Sequence, residues 1–141
     1  MTFRVELKSW EEAQAAAGPI RYAIFLDEQD APPGIEVDEI DPQCVHALAC
    51  DETGKAVGTG RLLPDGRIGR LAVLKDWRRR GVGAAIVQAL IEEARKRGYA
   101  AVTVAAPLQA AEFYRGHGFV AEGKVFREAG ILQQNMRKAL T

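Results

Sequence analysis

The sequence predicts an α+β domain, a three-layer arrangement with a mixed, mostly antiparallel central sheet and helices on both faces. Three observations predict it. Short apolar runs with strand character recur at both ends of the chain. Two amphipathic helical stretches interrupt them. Turn signals stand between nearly all of these segments.

The elements follow in order. Residues 3–7 alternate apolar and polar and read as a first strand. Ser9-Trp10-Glu11-Glu12 has the spacing of a capping box. A helix follows, is punctuated by Gly18-Pro19, and resumes to about Glu28. Residues 30–42 form a proline-rich, acidic loop. Residues 44–50 and 56–63 are strand-like, with Asp51-Glu52-Thr53-Gly54 as a hairpin turn between them. Pro64-Asp65-Gly66 is a second turn signal, and residues 67–74 are the next strand. Gly83, Ile86, Val87, Leu90 and Ala94 then fall on one helical face, with Gln88, Glu92, Arg95 and Lys96 opposite. Gly98 stops that helix. Residues 101–105 are wholly apolar apart from Thr103, which suits a central strand, and Pro107 ends it by removing a ladder donor. Residues 108–115 read as a short helix, 116–118 as a turn, and 119–121 and 131–136 as closing strands. No repeat, linker or low-complexity tract divides residues 1–141, so one domain is expected.

Composition narrows the partners. Formal net charge is zero over 141 residues, which gives no sign of a nucleic-acid or membrane partner. No stretch approaches the length of a membrane span, and the first eight residues lack a signal-like apolar run. A cytoplasmic protein is expected. Cys44 and Cys50, on one extended strand, would lie about 20 Å apart. A bridge needs Cα atoms within about 7 Å. The same spacing excludes zinc at Cys44, His46 and Cys50, so no metal is expected.

The most informative segment is Arg78-Arg79-Arg80-Gly81-Val82-Gly83-Ala84, between a strand and a long helix. The first N–H groups of a helix lack intrahelical partners, and the helix dipole favours negative charge there. Gly81 and Gly83 let a phosphate approach the backbone, and three arginines add forked cationic donors. This is the pattern of a loop that binds a cofactor's diphosphate. A Walker A loop is excluded, because no Gly-Lys-Ser/Thr follows. A dinucleotide loop fits poorly: Ile86 stands at the third small position, and residues 75–80 are too long for its tight turn.

Arg78-x-x-Gly81-x-Gly83, after Gly69-Arg70-Leu71-Ala72-Val73, resembles the acyl-CoA loop of the GNAT N-acetyltransferase superfamily. Ala111-Glu112-Phe113-Tyr114, with Gly118-Phe119 after it, resembles that superfamily's second motif. Within it, Arg21-x-x-Ile24-Phe25-x-x-Glu28-Gln29, then Pro33, Glu36-x-Asp38 and His46, is similar to the ElaA/YjcF-like branch. So are residues 59–63 and Phe126-x-Glu128-x-Gly130-Ile131. Pro107 and Gln133 depart from that branch, which often has Gln and His there. If those positions touch the acceptor, the acceptor differs.

The resemblance implies acetyl transfer from acetyl-CoA to a primary amine, of a small molecule or a peptide, by direct attack in a ternary complex. It implies two central strands splayed to admit the cofactor. The cofactor site would comprise Leu71, Ala72 and Val73, whose backbone N–H groups would polarise the carbonyl, then Arg78, Arg79, Arg80, Gly81, Val82, Gly83 and Ala84, with Phe113 and Tyr114. Tyr114 is the implied general acid; a tyrosine that merely packs is the alternative. Glu36, Asp38 and His46 are candidates for the base, against a solvated acidic loop and a packed histidine. A water relay to a carbonyl is a further route. An acyl-CoA-binding regulatory module without transfer activity is the alternative function. A homodimer through strands near the C-terminus also stays open.

Overall fold

A computed structural model describes residues 2–29, 38–128 and 130–141. Its frame is two antiparallel sheets. The first carries β1 (Phe3–Lys8), β2 (Val45–Asp51), β3 (Ala56–Leu62) and β4 (Ile68–Val73) in sequential order. The second carries β5 (Ala101–Pro107), β6 (Val120–Glu128) and β7 (Ile131–Ala139), in the order β5-β7-β6. The helices are α1 (Trp10–Arg21), α2 (Val82–Lys96) and α3 (Ala111–Gly116).

The predicted capping box forms: Ser9 Oγ accepts from the Glu12 N–H, and the Glu12 carboxylate accepts from the Ser9 N–H. Gly18-Pro19 does not interrupt α1. The helix continues through Pro19 and widens into a π-helical segment, Tyr22–Glu28, where the Gln29 N–H reaches back to the Ile24 carbonyl. A proline removes one i→i−4 donor, and i→i−4 bonding has resumed by Tyr22, whose N–H donates to the Gly18 carbonyl. Ile20 and Ile24 pack this helix over Ala72 of β4.

Helix α2 covers the other side. Val82, Ile86, Val87, Leu90, Ile91 and Ala94 are all buried. Burying each large aliphatic side chain stabilises by about 1.5–3 kcal/mol, so this face holds the helix firmly. Two glycines of β3 set its height. A Cβ on Gly58 would stand 2.9 Å from Val82 Cγ1, and one on Gly60 2.8 Å from Ile86 Cγ2.

The two sheets meet at one parallel bridge, Arg67 with Thr103, where the Thr103 N–H donates to the Gly66 carbonyl. Beyond that point no ladder joins β4 to β5 among the described residues. The two parallel strands therefore part toward their C-terminal ends. Gly66 makes the vertex feasible: its φ is +93°, and a Cβ there would sit 2.7 Å from the Ala101 carbonyl oxygen.

Strands β6 and β7 run well past the residues predicted for them, 119–121 and 131–136. Residues 122–128 are mostly polar or glycine, with adjacent apolar Val125 and Phe126, and almost wholly exposed on an edge strand, so they lack the alternation that marks a half-buried one.

Candidate active site

Two cavities lie near these strands, one beside β4 and one over β5, β6 and β7. One, of about 310 Å³, is lined by Leu71 and Val73 of β4, Trp77, Arg78, Arg79, residues 81–84 and Phe113. Gly81 is the N-cap of α2, with φ 83°, a left-handed conformation that glycine adopts without strain. The Ala85 N–H closes the first helical turn on the Gly81 carbonyl, and the N–H groups of residues 82–84 precede any intrahelical partner. Gly83 leaves space beside Phe113: a Cβ would lie 3.7 Å from Phe113 Cζ. A helix N-terminus, a cationic loop and an apolar wall fit an anionic cofactor with a slender organic arm.

The three arginines have separate tasks. Arg78 Nη1 and Nη2 each donate to the Glu28 carboxylate at 2.6 Å, and its Nε donates to the Val73 carbonyl at 3.2 Å. Arg80 donates to the Asp76 carbonyl and lies over the Trp77 ring. Arg79, with φ 62°, has no hydrogen bond or ion pair among the described residues. Of the expected cofactor residues, Ala72, Arg80 and Tyr114 do not line this cavity; Ala72 points to the α1 side of the sheet, against Ile20 and Ile24.

Strand β4 carries a bulge that no sequence signal announced. Thr59 pairs with Ala72 and Arg61 with Gly69, so Arg70 and Leu71 together oppose Gly60 alone. Arg70 takes φ 51°, a strained value for a residue with a Cβ. Its side chain is held by Asp38 at 3.2 Å and lies over the Phe25 ring. A bulge leaves a backbone group out of the ladder, and here it does so beside Leu71, in the cavity wall.

Tyr114 is buried, edge-on to Phe113 and Phe119. Burial pushes its phenol up to about 12. Its hydroxyl has no hydrogen bond among the described residues.

The second cavity, of about 390 Å³, is lined by Arg67, Thr103, Val104 and Ala105, by Glu122, Phe126 and Glu128 of β6, and by Asn135 of β7. A second irregularity shapes it. Three residues of β6 between Glu122 and Phe126 oppose only Gln134. The Gln134 amide donates to the carbonyls of Glu122 and Gly123 and staples the bulge. Arg67 is paired with Asp65 at 3.6 Å, whereas Glu122 and Glu128 have no ion pair among the described residues. Pro107 and Gln133, the two departures from the branch pattern, are direct cross-strand partners on the same two strands that carry Ala105 and Asn135.

The candidate bases fare differently. Glu36 lies outside the described residues, as does Pro33. Asp38 is clamped by both terminal nitrogens of Arg61 and by Arg70. The Arg61 hydrogen bonds hold its carboxyl far below the usual range, which leaves it a poor proton acceptor. His46 corrects the expectation most clearly. It is fully buried, with Nε2 2.9 Å from the Asp41 carbonyl oxygen and Nδ1 3.5 Å from Arg21 Nη2. A carbonyl can only accept and a guanidinium can only donate, so the ring is neutral with its proton on Nε2. Burial pushes its pKa below the ordinary value. No ring nitrogen is left for a substrate. Around it, Asp41 bridges Arg21 and Arg61 at 2.8 Å each. Burial alone would raise the Asp41 carboxyl, but the hydrogen bonds from both arginines more than offset it.

The sequence model of the acetyltransferase (GNAT) domain matches residues 35–140. The chain belongs to this family. It is 36% identical to the uncharacterized N-acetyltransferase YjcF of Bacillus subtilis (strain 168), over 91% of this chain and 94% of that one. An acyl-CoA N-acyltransferase from Pseudomonas aeruginosa superposes with a TM-score of 0.86 at 25% identity, covering 98% of this chain and 100% of that one. Escherichia coli ElaA shares the fold, with a TM-score of 0.86 at 22% identity, over 97% and 99% of the two chains. This GNAT chain is therefore an acyl-CoA-dependent acyltransferase by family, and the 310 Å³ cleft, with its helix N-terminus and glycine loop, fits that cofactor. The glycine-rich segment lies between β4 and α2, the strand-loop-helix placement that the sequence predicts. The sequence does not announce the cavity wall formed by β6, whose residues carry no periodic signal. Glu28 was visible only as a member of a motif, because its partner lies 50 residues away.

Proposed function

We propose that this GNAT chain is an N-acetyltransferase that moves an acetyl group from acetyl-CoA to a primary amine by direct attack in a ternary complex. The observation that carries the reading is the 310 Å³ cleft beside β4, where the glycine loop opens α2; a second cavity lies over β5, β6 and β7. One has the features of an anion site, and the other is open to a second small molecule. Acetyl-CoA supplies an activated thioester; the protein supplies position and charge. The N–H groups at the start of α2 and Arg79 hold the diphosphate. The backbone of the bulged β4, at Leu71, donates to the thioester carbonyl, a preorganised donor fixed by the sheet.

The Tyr114 hydroxyl stays protonated at neutral pH. Tyr114 packs on the cleft-lining Phe113 rather than in the cleft wall. The family motif, not the cavity lining, supports its role as donor to the departing sulfur. At about 12, its pKa is roughly 3.5 units above that of a thiol near 8.5. Full proton transfer is therefore uphill, and Tyr114 acts chiefly as a hydrogen-bond donor to developing thiolate. The acceptor amine enters the 390 Å³ cavity, where Glu122 and Glu128 favour a positively charged acceptor and Phe126 offers an apolar surface. Glu122 and Glu128, the carboxylates of this cavity lining, take its proton in this reading. His46 and Asp38 serve structure.

Titration calorimetry with acetyl-CoA, CoA and NAD, followed by thiol release with a panel of amines, tests this reading. Saturable binding of both CoA species but not NAD is expected, with amine-dependent thiol release. Binding without release from any cationic amine would reduce the protein to an acyl-CoA-binding module.

A further inference from the structure

The guanidinium of Arg78 is turned inward, although it stands in the cofactor loop. Its two terminal nitrogens meet the two oxygens of Glu28 in a forked pair, at 2.6 Å each, and its Nε meets the Val73 carbonyl. Three parts of the molecule converge there: the end of the π-helical segment, the end of β4, and the loop before α2. The side chain spans them as a strut. Arg79, by contrast, has no protein partner among the described residues. The Arg78 hydrogen bonds hold the Glu28 carboxyl below its usual value, so the pair stays ionised at neutral pH.

We propose that Glu28 is a positioning residue for the cofactor: it locks Arg78 as a strut that sets the distance between the loop and β4, and Arg78 does not itself bind the diphosphate. The proposal rests on the reading of this cleft as the acyl-CoA site. Forked geometry matters because an ordinary exposed ion pair contributes little, whereas a bidentate arginine–carboxylate pair also fixes orientation. The opposite arrangement is equally definite in its consequences. If Arg78 were a diphosphate ligand, Glu28 would compete with the cofactor for it.

The test is a double-mutant cycle read in acetyl-CoA affinity and in steady-state kinetics, with Glu28→Gln, Arg78→Gln and the double variant. Each single change is expected to weaken acetyl-CoA about fivefold, the ratio that corresponds to a surface pair of good geometry. The KM for acetyl-CoA rises accordingly, while kcat stays within about twofold. The double variant is no weaker than either single one, because one strut is removed once. Glu28→Asp, which keeps the charge and shortens the reach, falls between. Both positions are half-exposed, so thermal midpoints stay near wild type. Tighter binding by Glu28→Gln would overturn the proposal, since Glu28 would then be a competitor. Additive losses, or no change in either single variant, would overturn it as well. A wild-type protein that does not bind acetyl-CoA would instead refute the cofactor reading, which the first titration shows before any variant is made.

Discussion

At the scale of single residues, chemistry is decided by partners rather than by type. His46 has the side chain most often associated with proton transfer, yet a carbonyl and a guanidinium occupy both its nitrogens. Asp38 is a carboxylate beside the bulge, yet two arginines keep it ionised. Tyr114 differs: its hydroxyl has no such commitment among the described residues, and burial keeps it protonated. Tyr114→Phe should lower kcat about 10²-fold in a thiol-release assay, the low end of the range for a lost general acid. The KM for acetyl-CoA should change little, because the ring contacts with Phe113 and Phe119 remain. Unaltered turnover would assign the proton donor elsewhere. The type and place of Tyr114 were legible in the sequence from its motif. The isolation of its hydroxyl was not, because that depends on what lies nearby in space.

At the scale of elements, the proposed cofactor cleft depends on where pairing stops. Strands β4 and β5 touch through Gly66, Arg67 and Thr103 and then separate. Gly66→Ala combines a left-handed backbone with a clash against the Ala101 carbonyl. It should destabilise the protein by about 1–3 kcal/mol and weaken acetyl-CoA binding by disturbing the vertex. Gly69→Ala is the control: no atom lies within 4 Å of its Cβ position, and its φ is not positive. It should change stability by less than about 0.5 kcal/mol. Chemical denaturation of both variants checks the difference. The turn at Pro64-Asp65-Gly66 was legible from its residue types, but its second duty as a sheet vertex was not. A turn signal is local, and the Ala101 carbonyl arrives from the far side of α2. The bulges in β4 and β6 were silent for a related reason: a bulge is a mismatch between two strands, and one strand alone does not contain it.

At the scale of the whole molecule, a buried charge network ties α1, β2, β3 and the segment before β2 together. Arg21, Asp41, His46 and Arg61 have almost no exposure. Removing one partner from such a network leaves an uncompensated charge, which typically costs about 3–5 kcal/mol. The network also predicts how stability depends on pH. His46 has a depressed pKa in the folded state, so below about pH 6.5 the unfolded chain takes up a proton that the native ring refuses. Stability contributed there is present above that pH and declines as pH falls. Asp38 and Asp41 are depressed too, so their contribution persists to about pH 4 and is lost below it. Thermal midpoints should be level above about pH 6.5, fall gently down to about pH 4, and fall steeply below. His117, whose pKa is also lowered by burial, adds to the gentle phase. His46→Gln should therefore reduce that phase and leave the steep one, since a glutamine amide can donate to Asp41 and accept from Arg21 without titrating. A gentle phase undiminished in this variant would place its origin outside His46.

The sequence by itself determined the order of elements, the faces of the helices and the glycine-rich loop before α2. Each of these is written in neighbouring residues, through periodicity, capping and glycine placement. The apolar face of α2 is one example, and Gly81 before its first turn is another. Only the tertiary structure decided which charged groups are free to act. Glu28 meets Arg78, Asp38 meets Arg61 and Arg70, and His46 meets Arg21 across gaps of at least 23 residues. A side chain's pKa and reach are set by its neighbours in space, and those neighbours are chosen by the packing of whole elements.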